Sequence, residues 1–192
     1  MSKGAIGCGL LGALLLLLVA TAIGSHNRLV GLDERVEDAW SQVEDVYQRR
    51  ADLAFDLVAT VEGATDPETL ASVVEARGKV GQLNLETAPD ASQLGQFEAA
   101  QRELSSALGR LLAGLRRDPE LAQREHVRQL QVQLEGIEDR IAVERERFND
   151  TTLSYNKTRR RFPTVLLAFV TGLGVRPYFE PTKERNQPGV EP

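Results

Sequence analysis

The sequence predicts an all-α protein: an N-terminal transmembrane helix followed by an up-and-down four-helix bundle of long antiparallel helices. Three observations point there. Apolar residues recur at steps of three and four along most of the chain, the spacing of one helix face. The period-two alternation of a half-buried strand is missing throughout. Residues 5–23 read AIGCGLLGALLLLLVATAI, and roughly 20 apolar residues in a helix span the ~30 Å hydrocarbon core of a bilayer.

That apolar run defines an anchor over residues 1–25. A cleaved signal peptide ending near Ala20-Thr21-Ala22 is the competing reading, and the length of the run favours retention. Lys3 lies before the run, and Arg28 and Arg35 lie after it, so basic residues hardly bias its orientation. A signal-anchor topology in the cell membrane places the remaining domain on the non-cytoplasmic side.

Residues 26–180 form the predicted bundle. The first helix carries Leu29, Leu32, Val36, Trp40, Val43, Tyr47, Ala54, Leu57 and Val61 on one face. Arg50 falls where that series calls for an apolar side chain. Either it snorkels from the edge of the face or it enters an interhelical ion pair. Gly63 to Asp66 ends this helix, and Asp66-Pro67-Glu68 starts another with an N-cap, a first-turn proline and an acidic first turn. The second helix reaches about Glu86, with Leu70, Val73, Val74, Val80 and Leu83 inward. After the turn at residues 87–92, a third runs from about Gln93 to Arg117 on Phe97, Leu104, Leu108, Leu111, Leu112 and Leu115. Asp118-Pro119-Glu120 repeats the capping pattern and opens one long helix from about Leu121 to Phe162. Its stripe is Leu130, Leu134, Ile137, Ile141, Phe148, Tyr155 and Phe162, a coiled-coil-like register. Residues 164–171, TVLLAFVT, are too short to span a bilayer and either cap the bundle or lie against the membrane. Pro177-Tyr178-Phe179 reads as an extended anchor, and residues 181–192 as a disordered tail.

Composition narrows function. The net charge of −5 and an aromatic content of 5% argue against nucleic-acid binding by charge or stacking. The single cysteine, Cys8, allows no intrachain disulfide. His26 and His126 lack partners at metal-ligand spacing, and no nucleophile elbow, zincin motif, phosphate loop or Cys-x-x-Cys occurs. No cofactor, metal or catalytic residue is therefore expected. Asn149 and Asn156 match the glycosylation pattern, but their helical setting argues against its use.

Beside the apolar stripe of the last helix runs a polar column: Glu138, Arg145, Asn149 and Asn156. It borders the buried face and reads as a buried polar network or a recognition interface. The expected partners lie on the first helix, Arg50 for Glu138, and Asp52 or Asp56 for Arg145. Lys157, Arg159, Arg160 and Arg161 form a basic run at the helix end. It suits either the helix dipole or anionic lipid head groups, because an up-and-down bundle returns this end to the membrane.

The segment LEGIEDRIAVERERFND, followed by SYN and RRFP, resembles the signature of the LemA family of bacterial membrane-anchored helical proteins. ERVEDAWSQVEDVYQRRADL, VVEAR, DPEL and RPYFE agree in the same order. Two places depart from the family pattern: Asp56 replaces an amide, and Gly63-Ala64 lacks the usual aromatic. The resemblance implies a membrane-anchored four-helix up-and-down bundle without a defined catalytic activity. The expected function is a non-enzymatic scaffold binding a protein partner at the membrane. A lipid-interacting or remodelling protein is the alternative, ahead of an enzyme with an unrecognised site.

Overall fold

A computed structural model of the chain describes residues 3–83 and 85–180, with side chains from Leu11 onward. The chain is all-α, and no strand occurs among the described residues. Its helices are α1 (Lys3–Val61), α2 (Pro67–Gly81), α3 (Ala91–Leu115), α4 (Pro119–Ala122), α5 (Glu125–Arg159) and α6 (Thr164–Thr171).

Apolar run and first bundle helix are one continuous helix, α1, of 59 residues. Its N-terminal part is long and apolar enough to cross a membrane, and Leu11, Leu15 and Leu16 are 64–72% exposed. Burial starts with Ala22, Ser25 and His26 and is complete at Leu29. From there Val36, Trp40, Val43, Tyr47, Ala54, Leu57 and Val61 all point into the core, as their spacing requires.

Asp66 caps α2, its carboxylate accepting the Thr69 amide at 2.9 Å. The helix stops at Gly81, five residues before the sequence estimate. Gly78 and Gly81 each cost about 1 kcal/mol of helix propensity against alanine, which favours an early end. Leu70, Val73 and Val80 are buried, but Val74 is 45% exposed, having rotated past the face its neighbours share. A reciprocal capping box opens α3: Asp90 accepts the Gln93 amide, and the Gln93 side chain accepts the Asp90 amide.

The long final helix of the sequence reading is divided. Asp118 caps a single turn, α4, and the chain breaks at Gln123 and Arg124 before α5 begins. The break lets both Leu121 and Val127 bury, which six-residue spacing on one helix disfavours. At the other end α5 stops at Arg159. Phe162 therefore leaves the stripe and is 79% exposed.

Successive long helices alternate in direction. Asp33 and Arg50 of α1 lie level with residues 156 and 138 of α5. Ser72 and Lys79 of α2 meet Arg110 and Glu103 of α3. Backbone packing is closest for α1 with α5 and for α2 with α3, whereas α3 and α5 scarcely approach. An open groove results between those two. The core centres on Trp40, whose ring lies 5.2 Å from Phe97 and 5.7 Å from Phe148, both edge-on, and is stacked 6.2 Å from Phe179. Its indole nitrogen donates to the Leu85 carbonyl at 2.9 Å, so this large apolar ring carries no unpaired polar atom.

Candidate functional site

The polar column on α5 performs two jobs, one at each end. At its N-terminal end, the Arg50 side chain enters from α1 and is only 2% exposed. Snorkelling is thereby excluded. Nη1 donates to Glu138 Oε1 at 3.0 Å and to Ser105 Oγ at 2.8 Å. Nη2 donates to the carbonyl and the side-chain oxygen of Gln101. The guanidinium also sits 5.1 Å from the Tyr47 ring centroid. A buried cation needs both a counter-charge and saturated donors, and α1, α3 and α5 each supply part of them. The arrangement is asymmetric, because the Glu138 side chain is 52% exposed. Among the described residues, the Arg50 Nε and Gln101 Nε2 donors have no partner.

Arg145 pairs with neither Asp52 nor Asp56. Its Nη2 donates to Glu98 of α3 at 3.1 Å and to the Glu180 carbonyl at 3.1 Å. Its guanidinium lies 4.6 Å from the Phe179 ring centroid. The correction follows from helix geometry: at about 100° per residue, Asp52 points some 200° away from Arg50. Asp52 instead lies 3.6 Å from Arg77 of α2 and accepts from Gln48 at 3.0 Å. Asp56 is exposed. Glu98, Gln101 and Ser105 are the partners that sequence spacing did not supply, because polar residues beside an apolar stripe are usually solvated.

Further along α5, Asn149 and Asn156 hold the extended segment that follows α6. Asn156 donates to the Arg176 carbonyl at 2.8 Å and accepts the Arg176 amide at 3.1 Å. Asn149 donates to the Phe179 carbonyl at 3.1 Å and accepts the Phe179 amide at 2.9 Å. Each carboxamide thus mimics one rung of a β-ladder. The register is geometric: seven helical residues advance ~10.5 Å, and three extended residues advance ~10 Å. Tyr155 adds a bond from its hydroxyl to the Gly174 carbonyl at 2.9 Å, and Phe179 ends buried against Trp40 and Phe148. Both carboxamides of the glycosylation-like patterns are thus committed to the protein's own backbone.

Arg176 completes this strap. It grips both carboxylate oxygens of Asp33 at 2.9 and 3.0 Å and reaches Glu37 at 2.6 Å. It also donates to the Ala88 carbonyl at 3.1 Å, while Glu37 accepts the Ala88 amide at 2.6 Å. Burial disfavours the Arg176 charge, but Asp33 and Glu37 outweigh it and raise the pKa further. The sequence reading missed this cluster. The available signal was the acidic pair Asp33 and Glu37, four residues apart on one helix face.

Burial shifts two further groups. Burial pushes the Tyr47 phenol up, and Arg145 and Arg50 offset this only in part. Burial likewise raises the Glu44 carboxyl, against the lowering effect of the Leu85 amide.

The basic run divides. Lys157, Arg160 and Arg161 are exposed, and none forms an ion pair among the described residues. Arg159 is half-buried, its Nε donating to the Leu173 carbonyl at 2.7 Å, so it serves the strap.

Two clefts continue one another along the α3–α5 groove. The first, about 270 Å³, is lined by Tyr47, Arg50, Glu98, Gln101, Glu138 and Arg145. The second, about 420 Å³, has Leu108, Leu112 and Leu134 on its walls with Arg116, Gln131 and Glu135 at its rim. Ser105 and Glu138 belong to both. Two ion pairs, Arg50–Glu138 and Arg145–Glu98, occupy the polar end of the groove, and among the described residues no cluster of histidine, cysteine or carboxylates could hold a metal.

The chain is 27% identical to magnetosome proteins MamQ 1 and MamQ 2 of Paramagnetospirillum magneticum, covering 91% of this chain and 71% of each relative. It is 26% identical to magnetosome protein MamQ of Magnetospirillum gryphiswaldense, covering 93% of this chain and 73% of that protein. The LemA family model matches residues 39–191. Since that match spans well over half of its length, the chain belongs to the LemA family.

Proposed function

We propose that this protein is a non-enzymatic, membrane-anchored scaffold that docks a protein partner in the groove between α3 and α5. The observation that carries this reading is the groove itself. It combines an apolar wall of Leu108, Leu112 and Leu134 with a polar floor in which a buried cation meets a half-exposed carboxylate. Peptide segments bind such surfaces by seating apolar side chains while rim groups fix register. Catalysis would need a titratable group free to exchange protons with a substrate. In the polar half of the groove Arg50 is instead paired with Glu138, and Arg145 with Glu98. The named relatives carry the name of a cellular structure rather than of a reaction, which fits an organising role. The exposed apolar part of α1 supports tethering of the scaffold to a bilayer.

Gly109 lines the groove, and a Cβ added there meets nothing within 4 Å. Gly109→Trp therefore starts its side chain into open space on the groove wall. Affinity capture of the full chain from detergent-solubilised native membranes should return a stoichiometric partner, lost in Gly109→Trp at unchanged melting temperature. Equal capture by both proteins contradicts the reading.

A further inference from the structure

We propose that α6 is a membrane-surface foot: it lies in the interface of the same bilayer that α1 crosses, with Lys157, Arg160 and Arg161 on anionic head groups. This is separate from the α3–α5 groove and does not depend on what binds there.

Three observations carry it. First, α6 buries only Thr164 and Ala168 against the protein. Leu166, Phe169 and Val170 are 60, 88 and 82% exposed, and Phe162 before them is 79% exposed. Leu166, Phe169 and Val170 fall at helical spacing, so an apolar stripe on α6 faces away from the bundle. The eight residues of α6 extend only ~12 Å, too short to span a bilayer but enough to lie along its surface.

Second, the position of α6 is set by α1. The antiparallel register pairs Asp33 with residue 156 of α5, so α5 ends level with Val30. Ala22, Ser25, His26 and Leu29 nevertheless lie partly or fully covered on one face of α1, and α6, which follows α5 and packs on α1, is the described element left to cover them. Ala22 belongs to the end of the apolar run of residues 5–23. A bilayer crossed by that run therefore has its surface where α6 sits.

Third, charge follows the same geography. The whole chain is negative, yet residues 151–179 contain no aspartate or glutamate and five basic residues. Arg176 is consumed by Asp33 and Glu37, and Arg159 by a carbonyl. Lys157, Arg160 and Arg161 remain exposed beside the apolar stripe. An apolar face flanked by free cations matches the headgroup–acyl boundary of an anionic leaflet. The side chain of Thr171 donates to the Leu167 carbonyl at 2.8 Å, so that hydroxyl is satisfied without water.

The test uses the full chain with its one cysteine removed, Cys8→Ala, and a fluorophore placed by Phe169→Cys or, as control, Val132→Cys. Both positions are largely exposed, so neither label disturbs packing. The protein is reconstituted at one copy per vesicle in phosphatidylcholine with 30% phosphatidylglycerol, a composition chosen to be anionic. Lipids spin-labelled near the head group should quench the residue 169 fluorophore strongly and the residue 132 fluorophore little. Arg160→Glu with Arg161→Glu should reduce the anionic-lipid dependence of that quenching roughly tenfold. Equal quenching at both positions overturns the proposal. So does quenching at residue 169 only when several copies share a vesicle, which would assign the stripe to a second copy of the chain. Quenching indifferent to phosphatidylglycerol overturns the headgroup contact.

Discussion

Arg176 and Asp33 stand 143 positions apart in sequence and meet in a bidentate pair at 2.9 and 3.0 Å. The pair closes the protein. It fixes the segment after α6 to the part of α1 that leaves the apolar run, and through Glu37 and the Ala88 backbone it ties in the α2–α3 loop. Arg176→Met keeps the stem and removes five donors. Charge-assisted bonds in partly buried settings contribute about 1.5–3 kcal/mol. The expected outcome is a stability loss of about 2–3 kcal/mol by denaturant unfolding, with new proteolytic cleavage between residues 172 and 180.

The two carboxamide rungs predict a sharper contrast. Asn149→Ala strips two hydrogen bonds and Asn156→Ala three, the third to the Tyr178 hydroxyl, and each leaves a backbone amide and carbonyl unpaired. A loss of about 2 kcal/mol is expected for each, with local hydrogen exchange at the Phe179 or Arg176 amide rising more than the global average. Asn149→Asp keeps the acceptor for the Phe179 amide but sets a carboxylate against the Phe179 carbonyl. It should be less stable than wild type at pH 7 and recover towards it near pH 3, where the protonated acid can donate again.

Arg50 and Glu138 should respond unequally to substitution. Removing Arg50 leaves Glu138 half-exposed and able to hydrate but strips the buried Gln101 side-chain oxygen of its donor, so Arg50→Met is expected to cost about 1–2 kcal/mol. Removing Glu138 leaves a cation that is 2% exposed without its counter-charge. Glu138→Leu should then cost about 3 kcal/mol, and Arg50→Met should rescue it. Equal costs for the two single variants, measured by chemical denaturation, contradict the asymmetry.

Glu44 supplies a pH signature. Burial raises its carboxyl pKa on folding, so the folded state holds that proton more tightly than the unfolded chain. The resulting stabilisation is complete below the unfolded value and is lost as pH rises through the folded one. Glu44→Gln removes the group and should raise the melting temperature slightly at pH 7, with the gain vanishing below about pH 4, near the ordinary glutamate pKa. The site is mostly solvated, so the effect is small.

Much of the fold is written in the sequence as periodicity. The α1 series from Leu29 to Val61 and the α5 stripe from Leu130 to Tyr155 bury as their spacing demands, and Asp66 caps α2 as its motif indicates. What spacing carries poorly is the choice among partners of one helix. Arg145 finds Glu98 instead of Asp52 or Asp56 because the azimuth of α1 relative to α3 decides the match, and no local pattern encodes it. The division of α4 from α5 was hidden for a similar reason: Asp118-Pro119-Glu120 announces a helix start but not where the helix ends. Asn149 and Asn156 were visible as a column, yet their role needed the register of a segment some 20–30 residues downstream. The proposed anchor and tail boundaries at residues 1–25 and 181–192 extend beyond the described residues.

Position-specific photocrosslinking tests whether the α3–α5 groove receives a protein partner at the membrane. A benzophenone amino acid at Gln131, on the groove rim, is compared with one at Val132, exposed beside it, in the full chain within native membranes. A single discrete adduct is expected from residue 131, identifiable by mass spectrometry, absent from residue 132 and abolished by Gly109→Trp. Adducts of equal yield from both positions, or an adduct at residue 131 that survives Gly109→Trp, would contradict it.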